Sequence, residues 1–119
     1  MNWLNDDSAR LLKQAIDRYF PRLALVLSGA PREAELVDLL VRVNPDVKIF
    51  ARDRETIEAI KATYYVTPLR TARTVSAIAR EWGLEAILTT RINAVAERGH
   101  DGVIRINPLA ARRAAALKG

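Results

Sequence analysis

Cysteine is absent from this chain. Without thiols there is no disulfide, no thiolate metal site and no cysteine nucleophile or redox centre. Histidine occurs once, as His100. A metal site built on imidazoles therefore has too few ligands, and a Ser–His–Asp triad has one residue to draw on. Aromatic residues make up only 6% and do not interleave with the basic ones, so there is no stacking platform for a single nucleic-acid strand. No helix-turn-helix or RRM signature is legible either, and nucleic acid is not expected as a partner. Five glycines and five prolines are too few for collagen or low-complexity sequence. No apolar run approaches the ~20 residues of a membrane span. Met1 to Arg10 holds two aspartates and no apolar stretch, unlike a signal peptide. The expectation is a cytoplasmic protein with no membrane contact, no metal and no cofactor.

What is present is a globular composition: half the 119 residues are hydrophobic and 28% are charged. A single domain over residues 1–119 has enough chain to bury roughly two-thirds of its unfolded surface. The net charge is +5 and the sequence pI about 10.1. That balance favours anionic partners without choosing among them, and it also serves solubility alone.

Helical and strand periods alternate along the chain. Leu12, Ala15, Ile16 and Tyr19 share one face of a helix from Asp7 to Tyr19, with Asp6 or Asp7 as cap and Pro21 as stop. The run Leu23 to Leu27 has no polar alternation, as in a strand covered on both faces of a parallel sheet. Leu36, Leu39, Leu40 and Val43 form the next helical stripe, closed by Asn44-Pro45. Val47 to Ala51 reads as a second strand, followed by a helix from about Arg54 to Tyr64. Tyr65 to Leu69 fits a short strand or a turn. Val75, Ile78, Ala79 and Trp82 mark a further helix, with Gly83 as its C-terminal stop. Ala86 to Thr90 and Val103 to Ile106 read as strands. Arg91 to Arg98 reads as a short helix or a loop, and Leu109 to Lys118 as a final helix. The economical architecture is α/β, a three-layer, mostly parallel sheet with helices on both faces. Ligands of such sheets sit beyond the carboxyl ends of the strands. Those ends hold Ser28-Gly29-Ala30, Arg52-Asp53, Thr89-Thr90-Arg91 and Asn107-Pro108.

Ser28-Gly29-Ala30-Pro31-Arg32 links a strand to a helix. Backbone N–H groups at such a helix start form an anion site, and Gly29 lets a phosphate approach the chain. The same residues also suit a plain strand-to-helix turn, because the loop matches neither standard phosphate-loop spacing. Other charges are less specific. Arg70 and Arg73 lie a turn apart, and Arg112, Arg113 and Lys118 form a basic tail; both groups read as solvated helix faces. Glu33 and Glu35 are two apart on a helix and diverge, so they do not make a catalytic pair. His100 lies in the turn Gly99-His100-Asp101-Gly102, and Trp3 and Trp82 read as core or interface residues.

The stretch from Leu25 to Phe50 resembles the opening βαβ unit of phosphoadenylyl-sulfate reductases. It has the strand, the Ser28-Gly29 loop, the Asp38-Leu39-Leu40 helix and Pro45-Asp46 before the second strand. Asp53 falls at the Asp of that family's Leu-Asp-Thr-Gly strand end. Ala86 to Arg91 resembles its Ile-Thr-Gly-Arg segment, and Val103 to Ala110 is similar to its Ile-Lys-Val-Asn-Pro-Leu-Ala stretch. The order holds across about residues 23–110. The resemblance implies an adenine-nucleotide alpha-hydrolase-like fold, degenerate and truncated, and an adenine nucleotide or sulfonucleotide as ligand. It places phosphates at Ser28, Gly29 and Ala30, with Arg91 assisting and Asp53 near the adenosine. The family loop reads Ser-Gly-Gly-Lys-Asp-Ser, whereas Pro31, Arg32 and Glu33 stand at its last three positions here. The reductases use a catalytic cysteine, which this chain lacks. The first reading is therefore a nucleotide-binding domain without cysteine-dependent reduction. The alternatives are a ligand-free interaction module, acting as a homodimer or through a partner surface, and an enzyme of another kind using Asp53 or His100.

Overall fold

The computed structural model describes residues 6–27, 32–51, 67–68 and 74–110. Ser28, Gly29, Ala30, Pro31 and Asp53 lie outside the described residues, as do the expected helix from Arg54 to Tyr64, the paired Arg70 and Arg73, Trp3 and the basic tail beyond Ala110. In chain order the elements are α1 (Asp6–Tyr19), β1 (Leu23–Leu27), α2 (Glu33–Val43), β2 (Lys48–Ala51), β3 (Thr67–Pro68), α3 (Val75–Trp82), β4 (Ala86–Leu88), β5 (Ala96–Arg98) and β6 (Ile104–Ile106).

The strands form one sheet of order β3-β2-β1-β4-β6-β5. All neighbours are parallel except β5, which runs antiparallel to β6. β1 is central, with β2 on one side (Leu25 beside Ile49) and β4 on the other (Leu25 beside Leu88). Its continuous apolar run follows from that position. Leu23, Leu25 and Leu27 pack towards α1 and α2, while Ala24 and Val26 pack towards α3. A strand with helices on both faces has no side that rewards a polar residue. The arrangement is thus α/β in three layers.

The helices follow their stripes. Leu12, Ala15 and Ile16 of α1 and Leu36, Val37, Leu39 and Leu40 of α2 join one apolar cluster. Burying a side chain of this size contributes about 1.5–3 kcal/mol, so this face supplies most of the described hydrophobic stabilisation. α3 is capped at both ends: Thr74 Oγ1 accepts from the Ala77 N–H at 3.1 Å, and Gly83 adopts a left-handed conformation at φ 66°. A residue with Cβ is disfavoured at that φ, which is why glycine ends the helix. Ile78 and Ala79 form the buried face of α3, but Trp82 at the end of its stripe is 45% exposed. Its ring meets Phe50 at 5.2 Å, with the Lys48 ammonium 5.0 Å from the ring centroid.

Two ambiguous segments are resolved. Thr67–Pro68 pairs with β2 as a strand. Arg91 to Arg98 is neither a helix nor wholly a loop, because its last three residues form β5. All three are exposed, so β5 forms by backbone pairing to β6 and has no buried face. No helix among the described residues is long and apolar enough to cross a membrane.

Candidate functional site

Parallel pairing puts the carboxyl ends of β1, β2, β4 and β6 on one edge of the sheet. The segments Thr89-Thr90-Arg91 and Asn107-Pro108 therefore meet there, as the sequence implies. The strand order runs outward from β1 in both directions, which makes the gap between β1 and β4 a topological switch point.

A cavity of about 330 Å³ lies on the α3 face at this edge. Val26, Val75, Ile87 and Ile92 give it apolar walls, and Thr89, Arg91 and Arg105 are its polar groups. The volume is at the small end of the ~300–1,000 Å³ typical of ligand pockets. No carboxylate lines it; the Arg105 charge is balanced by Asp101 behind it, so the net positive charge at the cavity is that of Arg91, which favours an anionic occupant. A larger groove of about 510 Å³ lies on the opposite face between α1 and the β5 edge. It is wider open and mixes Asp17 with Arg18, so it lacks a charge preference.

The loop that carries Arg91 is fixed by its own chemistry. Thr89 Oγ1 accepts from the Arg91 N–H at 3.1 Å, and the Thr89 N–H donates to Ile106 O at 3.0 Å. Asn107 is buried and spans the loop: its Nδ2 donates to Ile92 O at 2.9 Å, its N–H donates to Val95 O at 2.8 Å, and its Oδ1 accepts from the Leu109 N–H at 3.1 Å. Read in sequence as a strand end, Asn107 is also the clamp of this loop. Thr90 Oγ1 is sealed from solvent with no hydrogen-bond partner among the described residues, a polar group next to Arg91 in the chain. The Arg91 side chain is exposed and makes no ion pair among the described residues.

Arg105 was not singled out by the sequence. Asp101 accepts from its Nη1 at 2.8 Å and its Nη2 at 3.0 Å, and Nη1 also donates to Val103 O at 2.9 Å. The same carboxylate accepts from the Ser76 hydroxyl and from the Val103 N–H at 2.9 Å. Arg105 and then Ser76 hold the Asp101 carboxyl well below the usual carboxylate range, and Asp101 in turn raises the Arg105 guanidinium above its ordinary value. Both side chains are largely shielded, at 19% and 18% exposure. Asp101 thereby ties α3 to the β5–β6 turn. A turn signal in sequence gives no hint of a bond to a helix 25 residues away.

Of the residues expected to bind phosphate, Arg91 is the one the described structure places, and it is at the cavity. The expected loop ends at Arg32, which is left-handed at φ 71° and donates through Nε to Glu35 Oε2 at 2.7 Å. Glu33 follows and is 3% exposed. The first turn of α2 thus carries two carboxylates, so the helix dipole there already has negative charge beside it. His100 is exposed in the β5–β6 turn, at the opposite edge of the sheet from Arg91. It is not among the residues that line the cavity. No group of acidic or imidazole side chains suited to a metal occurs among the described residues. No protein-family model matches the chain, and no curated protein matches it.

Proposed function

We propose that this is a nucleotide-binding domain of the adenine-nucleotide alpha-hydrolase-like type. In this reading it is a degenerate phosphoadenylyl-sulfate reductase-like domain that binds an adenine nucleotide or sulfonucleotide without cysteine-dependent reduction. The observation that carries the reading is the cavity beside the β1–β4 switch point, with Arg91 and Thr89 on its rim. The resemblance of the segments around Ser28, Asp53, Arg91 and Asn107 supplies the ligand class. The acidic first turn of α2 and the cationic end of β4 favour a ligand whose negative groups lie towards Arg91. Ser28, Gly29 and Ala30 then offer backbone N–H groups rather than net charge, and Asp53 serves the nucleoside end.

A thermal-shift titration with AMP, ATP, adenylyl sulfate, phosphoadenylyl sulfate and 3′,5′-ADP tests this. A ligand at a hundred times its Kd adds about 2.7 kcal/mol, or roughly 8 °C in a domain of this size. The expected result is a saturable rise with at least one nucleotide, abolished in Arg91→Ala. No rise with any of them overturns the reading. The interaction-module reading has its own observation, the open groove between α1 and the exposed β5 edge. It requires a homodimer or partner complex by light scattering that Tyr19→Glu dissolves; a monomer at every concentration with no partner excludes it.

A further inference from the structure

We infer that Arg105 is an oxyanion-recognising residue of this cavity, held in place by Asp101 and by the space above Gly99, and that its ligand group is phosphoryl. The inference deepens the nucleotide reading and rests on it. Arg105 lines the cavity beside Thr89 and Arg91. A guanidinium has five N–H donors in a flat fork. Asp101 takes one from each of Nη1 and Nη2, and Val103 O takes the second on Nη1. The bidentate approach of Asp101 fills the end-on edge of the fork. Among the described residues two parallel donors remain without a partner, the Nε–H and the second Nη2–H, and they make up the side-on edge. That edge matches two oxygens of one phosphoryl group, and a fixed fork loses less freedom on binding than a free arginine.

Gly99 keeps the seat open. A Cβ at this position meets Arg105 Nη1 at 2.1 Å and Cζ at 2.8 Å, as well as Asp101 Oδ1 at 2.8 Å. All three atoms belong to movable side-chain tips, so Gly99→Ala displaces the guanidinium while leaving the backbone where it is. Asp101 and Gly99 are positioning residues, and Arg105 is the group that touches the ligand.

The test uses pyrophosphate as probe and the arginine Nε–H signals in a nitrogen–proton correlation spectrum, assigned with Arg105→Lys and Arg91→Lys. Pyrophosphate is expected to move the Arg105 Nε–H saturably, and acetate at equal concentration to leave it in place. Gly99→Ala and Arg105→Lys each weaken pyrophosphate binding at least tenfold while the backbone amide spectrum stays native-like. Should Gly99→Ala fail to fold, Arg105→Lys carries the same comparison. If saturating pyrophosphate moves Arg91 and leaves Arg105 unmoved, this inference falls and the nucleotide reading stands. An equal response to acetate overturns the phosphoryl assignment. No response to pyrophosphate or to any nucleotide overturns both.

Discussion

The two faces of the sheet are built differently. Towards α1 and α2, seventeen buried residues form one apolar cluster among the described residues; towards α3 the corresponding cluster has seven. The buried cluster of the thick face is aliphatic packing. Among the described residues, the apolar cover of the thin face ends at Arg105 and Thr89, where the cavity lies. Alternation along a strand separates the two tasks. Leu88 and Ile87 are adjacent and equally buried, yet one packs in the thick core and the other borders the cavity. Among the described residues, one face of the sheet carries the larger apolar core and the other borders the cavity at the carboxyl edge.

That contrast makes Leu88→Ala the most damaging substitution, at about 2–5 kcal/mol in urea unfolding, because the vacated space is enclosed. Ile87→Ala enlarges a cavity that already exists, and its loss is expected at about half that value. Equal losses would mean that the faces do not differ in packing. Next comes acid sensitivity of the thin face. Asp101 ionises in the folded protein well below the ordinary carboxylate value. Its stabilisation is complete above the unfolded value of ~3.9 and drains away as pH falls below it, since the unfolded chain takes up the proton first. The difference in melting temperature between wild type and Asp101→Asn is expected to be widest near pH 6 and to narrow towards pH 2. A constant difference would remove the ion pair from the account. Thr74→Ala deletes the cap of α3 and is expected to cost about 1 kcal/mol by thermal unfolding. The smallest effect is on α1, where Lys13 and Asp17 pair at 3.5 Å with both side chains mostly exposed. Lys13→Ala is expected to change stability by about 0.3–0.5 kcal/mol, within reach only of careful denaturant melts.

The thick face was the more legible of the two in sequence. Leu12, Ala15 and Ile16, and then Leu36, Leu39 and Leu40, repeat at helical spacing because each faces one continuous core. β1 was legible as a doubly covered strand for the same reason. β5 was not, because Ala96, Glu97 and Arg98 bury nothing and a strand held by backbone pairing alone leaves no period. Arg91 was legible as a residue beyond a strand end, and the strand order accounts for its place. Arg105 was hidden because the sequence shows an arginine in a strand, whereas its role depends on a turn that brings Asp101 back to it and on the missing side chain of Gly99.

The central place of β1 also matters during synthesis. It is the first of the described strands to be made, but its partner on one side, β4, is among the later ones. At ~5–20 residues per second, the interval between completing β1 and completing β4 is roughly 3–12 seconds. Throughout that time a strand of five apolar residues has at least one open hydrogen-bonding edge, the kind of template on which nascent chains associate.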